Sequence, residues 1–181
     1  TRAKRDGDDY VLNGSKIFIT TGGEADYFLV FARTGTAEER HKGLSAFIVS
    51  RGAPGVVVGK AENKMGLRGS ITNQMFFEDA RVPAADRLLR EGDGWRILTE
   101  TANEMRLWGA ASMALGIAEG AFDCALDYAR SRRQFGKPIA DFQAVRFMLA
   151  DMAMLIESAR ALIFRSAALI DSGEGSAKEI E

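Results

Sequence analysis

The run Arg90-Glu91-Gly92-Asp93-Gly94-Trp95-Arg96-Ile97-Leu98-Thr99-Glu100 divides a chain of 181 residues into two textures. Of the 19 glycines, 13 lie at or before position 94, and so do two of the three prolines, Pro54 and Pro83. Short apolar runs recur there between turn signals. Tyr10-Val11-Leu12, Asn13-Gly14 and Ile17-Phe18-Ile19-Thr20 read as a hairpin, because Asn-Gly accepts the positive φ of a type I′ turn. Tyr27 to Ala32, Leu44 to Val49, Val56 to Val58 and Asn73 to Phe77 are further strand candidates. About six short strands with no helix between them predict an antiparallel sandwich or barrel.

Beyond Gly94 the texture is helical. No proline interrupts Trp95 to about Arg130, and Ile97, Met105, Trp108, Met113, Ile117 and Phe122 are mixed with alanines on every face. Pro138 then stands where the first turn of a helix accepts it, and a second helix is expected from Ile139 to about Ile170, stopped by Asp171-Ser172-Gly173. Each helix spans about 50 Å at 1.5 Å per residue. Helices apolar nearly all round cannot bury themselves as a pair, so neighbours are expected from another protomer or from chain outside this sequence. Gly109, Gly116 and Gly120 fit that expectation, since a helical glycine costs about 1 kcal/mol unless close packing offsets it. The fold class is therefore α+β, with a β domain over residues 1–92 and two long antiparallel helices of a four-helix bundle over residues 93–181. Both domains are expected to be incomplete, and the sequence begins with Thr1 rather than methionine.

Composition excludes several function classes. With 24 basic against 25 acidic residues there is no basic stripe for a phosphate backbone, and nucleic-acid binding is not expected. No run of about 20 apolar residues forms a membrane span. The single cysteine, Cys124, excludes an intrachain disulfide framework, and the single histidine, His41, excludes a multi-histidine metal site. Cys124 reads as a small core residue and His41 as part of a solvated loop. The first residues carry no apolar targeting segment.

Three segments carry chemistry. Arg130-Ser131-Arg132-Arg133-Gln134-Phe135-Gly136-Lys137-Pro138 reads either as a helix C-terminus capped by Gly136 or as an anion site, because guanidinium forks suit phosphate oxygens. Gln143, after Asp141-Phe142, either faces solvent or bonds a planar polar ligand. Phe18-Ile19-Thr20-Thr21-Gly22-Gly23 is either a strand closing in a Gly-Gly turn or a platform for a ring-shaped ligand, with Thr20 as hydrogen-bond donor. Glu100 and Glu104, four apart on the first helix, form a solvated face or supply a base. Gly173-Glu174-Gly175 follows a helix rather than a strand, so it is no dinucleotide fingerprint.

These blocks resemble a known family. RSRRQFGKPIADFQAVRFMLADMAM resembles the C-terminal signature region of acyl-CoA dehydrogenases, GSKIFITTGGEADYFLVFART their flavin-contacting middle β strands, and NKMGLRGSITNQMFFEDARVP the last strands of that domain. The resemblance implies FAD as cofactor. Phe18, Ile19 and Thr20 match the strand against the isoalloxazine ring, with Thr20 near flavin N5. Arg132 matches the arginine that reaches the FAD pyrophosphate of the neighbouring subunit, with Phe135 beside it, and Phe142 and Gln143 match contacts on the adenosine side. Asn103, Glu104, Met105 and Arg106 match the turn bordering the acyl-CoA substrate.

The implied reaction is α,β-dehydrogenation of an acyl-CoA, with an electron-transfer flavoprotein as acceptor. The implied assembly is a homodimer or homotetramer, soluble, in the cytoplasm of a bacterium or the mitochondrial matrix of a eukaryote. Some members place the catalytic glutamate directly before the arginine, where this chain has Met105. Glu104 is one residue and about 100° away around the helix, so no catalytic base is assigned here and one is expected outside these residues. Asn103 also stands where the family has an acidic residue. Rival readings are a non-catalytic helical assembly module and, on the same scaffold, an acyl-CoA oxidase or flavin monooxygenase.

Overall fold

The computed structural model describes residues 1–173, save the side chains of Asn103 and Glu104, and divides into two compact units, Thr1–Thr99 and Glu100–Glu181. In the first unit β1 (Arg2–Asp6), β2 (Asp9–Thr20), β3 (Tyr27–Arg33), β4 (Leu44–Ser50), β5 (Val56–Ala61), β6 (Thr72–Pro83) and β7 (Arg87–Leu88) form one sheet in the order β5-β6-β2-β1-β3-β4-β7. Every pairing is antiparallel except a single parallel pair, Arg2 with Arg33, between β1 and β3. The sheet curls over a single core of Tyr10, Leu12, Phe28, Val30, Phe47, Val49, Met75, Phe77 and Val82. Across it the Tyr10 and Phe47 rings meet edge to face, 5.0 Å apart. Each such fully buried side chain contributes about 1.5–3 kcal/mol.

The expected hairpin at Asn13-Gly14 is not formed. β2 runs straight through these residues, and the first turn falls instead at Gly7-Asp8, where Asp6 pairs with Asp9 and Gly7 takes φ 62. Asn13 has a different task. Its Oδ1 accepts from the Asp79 N–H at 3.0 Å and its Nδ2 donates to Asp79 Oδ1 at 2.9 Å, holding β6 where Asp79 bulges at φ 49. A side chain suited to a turn is here bonded across the ladder, and tertiary pairing overrides local preference.

The segment leading into the first helix is tied to the sheet. The buried Tyr10 hydroxyl donates to Glu91 Oε2 at 2.8 Å, and Ser45 Oγ accepts from the Gly92 N–H at 3.0 Å. A Cβ on Gly94 would stand 2.8 Å from the Leu44 carbonyl, so only glycine lets the helix begin this close to β4.

The helical part comprises α1 (Gly94–Met105), a π-helical stretch Arg106–Ala111, and α2 (Ser112–Ser131). A mini-hairpin, β8 (Arg133–Gln134) and β9 (Lys137–Pro138), leads to α3 (Gln143–Ser172). The expected stop at Gly173 is present, with φ 70 and its N–H on the Ile170 carbonyl. Two expectations are corrected. Gly136 does not cap a helix but shares a two-residue hairpin turn with Phe135, at φ 82 and 50. The second helix does not start at Ile139: Pro138 is extended, a short turn covers Ile139–Asp141, and Phe142 is the first flank of α3. Between α2 and α3, only Ala129 and Ile156 are buried among the described residues. Cys124 is exposed rather than a core residue. Around Gly109, Gly116 and Gly120 nothing lies within 4 Å of where a Cβ would stand, so the close packing expected there is not made inside the chain.

Burial holds the Tyr10 phenol above its ordinary pKa, and the Glu91 bond adds to this. A raised phenol pKa means stability present below pH 10 and lost as pH rises through the folded value. Tyr10→Phe should cost about 1–3 kcal/mol at pH 7, read as a lower urea midpoint at unchanged slope, and should flatten the alkaline loss of stability.

Candidate functional site

Inward side chains alternate along β2 through Tyr10 and Leu12, so unbroken alternation would send Phe18 and Thr20 into the core as well. A single extra residue prevents it. Lys16 pairs with Met75 and Ile19 with Asn73, leaving Ile17 and Phe18 both opposite Gln74. Phe18 absorbs the bulge in the left-handed region at φ 60. From there the phase is inverted: Ile19 packs on the core and Thr20 faces out. Phe18 stays 68% exposed and Ile17 53%.

The neighbouring strand does the same. Val58 pairs with Met75 and Ala61 with Asn73, so Gly59 and Lys60 also face Gln74, and Asn73 Nδ2 donates to the Gly59 carbonyl at 2.9 Å. Beyond Thr20 the chain turns flat over Asn73; a Cβ on Gly23 would stand 3.1 Å from Asn73 Oδ1, which explains the Gly-Gly pair. The result is an exposed strand end with an aromatic, an aliphatic and a hydroxyl side chain in sequence. The Thr20 hydroxyl has no hydrogen-bond partner among the described residues. Lys16, just before the bulge, lies half-buried, and that burial lowers its pKa.

The second cluster lies in the other unit, at the α2–α3 connection. Arg132 leaves α2 in an extended conformation, and its carbonyl accepts from the Ile139 N–H at 2.8 Å, closing the base of the mini-hairpin. Phe135 stands at the tip, 92% exposed, edge-on to the Phe142 ring at 6.2 Å. Lys137 Nζ lies 4.4 Å above the Phe142 ring. The arginines differ in what they hold. Arg133 donates to the Gly136 carbonyl, and Arg146 to the Ala140 carbonyl and Asp141. The exposed side chains of Arg132 and Gln143 make no hydrogen bond or ion pair among the described residues. Chemically this is an anion and ring platform with its cation and amide unengaged.

Met105 is exposed at the end of α1 and Arg106 opens the π-helical stretch; the Asn103 and Glu104 side chains lie outside the described residues. At the end of that stretch the Ser112 hydroxyl donates to the Leu107 carbonyl at 3.1 Å, alongside the Ser112 N–H that reaches the same oxygen across the wider turn. A groove of about 640 Å³ runs between α2 and α3, lined by Leu107, Trp108, Leu115, Ile163 and Phe164. At its wall Arg160 holds Glu119 at 2.6 Å and Glu157 at 3.5 Å. Sequence reading missed this bridge, although an acid and an arginine inside apolar helices were its signal.

A family model described as acyl-CoA dehydrogenase, middle domain, matches residues 1–80, and one described as acyl-CoA dehydrogenase, C-terminal domain, matches residues 92–181. The chain belongs to the acyl-CoA dehydrogenase family. It is 48% identical, over 98% of its length, to a cyclohex-1-ene-1-carbonyl-CoA dehydrogenase of Geobacter metallireducens, covering 46% of that protein. It is 46% identical, over 99% of its length, to the human mitochondrial short-chain specific acyl-CoA dehydrogenase, covering 43% of it. The solved structure of butyryl-CoA dehydrogenase from Megasphaera elsdenii matches 99% of the chain with a TM-score of 0.92 and 44% identity, 47% of that chain being covered. The chain thus spans a little under half the length of the relatives it matches. The family consists of flavoprotein oxidoreductases. Among the described residues no helix is long and apolar enough to cross a membrane.

Because their side chains make no hydrogen bond or ion pair among the described residues, Thr20→Val, Arg132→Ala and Gln143→Ala should each change stability by less than about 0.5 kcal/mol. Urea denaturation of the unloaded protein checks this.

Proposed function

We propose that this chain is part of an FAD-dependent acyl-CoA dehydrogenase that forms a Cα–Cβ double bond in an acyl-CoA thioester. Residues 1–92 would be its middle β domain and residues 93–181 the first two helices of its C-terminal domain. The observation that carries the reading is the inverted strand end: an outward Thr20 with an unengaged hydroxyl beside exposed Phe18.

The residues present fit FAD. Phe18 and Ile19 offer a surface for the isoalloxazine ring, and Thr20 a donor near N5. Arg132, not neutralised by any carboxylate among the described residues, suits the pyrophosphate of a flavin held by a second subunit. Phe135, Phe142 and Gln143 border its adenosine side. When bound, FAD would accept the hydride leaving Cβ and pass the electrons to an electron-transfer flavoprotein. Asn103, Glu104, Met105 and Arg106 border the acyl-CoA. The proton leaving Cα needs a carboxylate within hydrogen-bond reach. Met105 cannot accept it, and helix spacing alone offsets position 104 by about 100° from position 105, so we place the base in a part of the whole protein outside these residues. In this reading the whole protein is a homodimer or homotetramer, in bacterial cytoplasm or in the mitochondrial matrix; its relatives include bacterial and mitochondrial proteins.

In the full-length protein Arg132→Ala should weaken FAD retention by one to two orders of magnitude, the equivalent of about 1.5–3 kcal/mol for a charge-assisted contact. Flavin absorbance per protein after gel filtration reads it, and full retention would sink the assignment. Glu104→Gln should leave anaerobic flavin bleaching by butyryl-CoA near normal. A loss of several orders of magnitude with flavin still bound would make Glu104 the base.

A further inference from the structure

The loop between β5 and β6 carries two outward apolar side chains, one of them fully solvated. Met65 is 100% exposed and Leu67 67%, and Leu67 is held at φ 50. A leucine in the left-handed region costs about 1–2 kcal/mol, and here about two thirds of the side chain stays in solvent. The loop is nonetheless braced. Lys64 Nζ donates to the Ser70 carbonyl, Arg68 Nε to the Lys64 carbonyl at 3.0 Å, and the Ser70 N–H to the Leu67 carbonyl at 3.0 Å. Both cations are engaged by carbonyls rather than carboxylates, and with exposed Lys60 they outweigh the loop's one acid, Glu62, leaving net positive charge around an apolar tip.

Its position is fixed beside the inverted strand end. The Thr21 N–H bonds the Ile71 carbonyl at 2.7 Å, the Glu62 N–H bonds the Thr72 carbonyl at 2.8 Å, and Thr72 pairs with Thr20. The tip therefore flanks the end of β2 at which the flavin is placed above. Electron transfer demands that an acceptor approach the flavin closely, so its contact surface must include what borders that strand end.

We propose that Met65 and Leu67 are apolar anchors for the electron-accepting flavoprotein, which would offer an apolar recess rimmed by acidic side chains to Lys60, Lys64 and Arg68. This rests on the FAD reading of the Thr20 strand. A braced, apolar, cation-rimmed tip is the pattern of a docking anchor: little ordering entropy remains to be lost, and opposite charge steers the encounter.

The test uses the full-length holoenzyme carrying Met65→Gln and Leu67→Gly. Neither change should disturb folding, since Met65 is fully solvated and glycine relieves the positive φ at 67. Three rates are compared with the unchanged enzyme: anaerobic flavin reduction by butyryl-CoA, reoxidation by ferricenium ion, and reoxidation by the electron-transfer flavoprotein of the same organism. The expected result is a tenfold or greater loss in kcat/KM for the flavoprotein, with the other two rates within twofold and Met65→Leu restoring the unchanged enzyme's behaviour at that position. An unaltered flavoprotein rate overturns the proposal. So does parallel loss of all three, or loss of flavin, which would place the tip in the protein's own subunit packing. If butyryl-CoA and longer acyl-CoAs fail to reduce even the unchanged enzyme, the dehydrogenase reading falls first, and this docking role with it.

Discussion

One inserted residue in β2 governs what the β unit presents. Two residues, Ile17 and Phe18, stand opposite Gln74, and β5 answers with Gly59 and Lys60 opposite the same residue. Gln74 is thus flanked on both sides by bulges, and both neighbouring strands twist away from it. The consequence is a change of phase at the very end of β2. Tyr10 and Leu12 serve the core, Ile19 continues to serve it, and Thr20 is released to solvent. Moving the insertion beyond Thr20 would bury its hydroxyl and expose Ile19. A polar donor is placed at a strand end by register, not by a loop, and register is far more rigid.

Stability of the two units is arranged differently. The β unit keeps its own core, closed by the Tyr10–Phe47 pair and tied to the entry of α1 through Glu91 and Gly92. The helical unit keeps almost none. Trp108, Ile117, Leu155 and Phe164 are each about two thirds exposed, between 65% and 69%. Within that surface, Glu119 and Arg160 are matched across α2 and α3. Their exposure limits what the bridge contributes to stability. Its effect is specificity: sliding either helix by one turn separates the charges and sets each against apolar side chains, which fixes the α2–α3 register.

Sequence reading reached the architecture because the signals were long. Glycine partition, a helical texture unbroken by proline, and the Asp171-Ser172-Gly173 stop each extend over many residues or rest on one residue's unique conformational freedom. It failed where a local preference had a tertiary alternative. Asn13-Gly14 looks like a turn in isolation, but Asn13 finds both its partners on Asp79, 66 residues away. Gly136 looks like a helix cap until Phe135 is seen to share its left-handed conformation, which makes a hairpin turn instead. The Thr20 site was legible as a candidate from Phe18-Ile19-Thr20-Thr21-Gly22-Gly23. The bulge that exposes it was not, because nothing in that string distinguishes a continuous alternation from one with an extra residue.

The backbone outliers point the same way as the chemistry. Among the described residues seven non-glycines have positive φ: Phe18, Thr21, Arg40, Leu67, Asp79, Leu89 and Phe135. Asp79 is explained by its bonds to Asn13, and Thr21 by a turn whose hydroxyl donates to the Thr20 carbonyl at 2.7 Å. Phe18, Leu67, Leu89 and Phe135 are of another kind, large apolar side chains that are 68%, 67%, 56% and 92% exposed. Each carries a backbone cost of about 1–2 kcal/mol while more than half of its side chain stays exposed. A sequence under selection for stability alone would place glycine or asparagine at such positions. Apolar residues held outward in strained conformations are instead what a surface needs when its partner, a flat ring or another protein, must find the contact already shaped. Three of the four lie in the segments that the flavin and docking proposals use, Phe18 on the inverted strand, Phe135 at the hairpin tip and Leu67 on the braced loop. On those two proposals the strain falls at the edges where this chain would meet a ring or a partner protein.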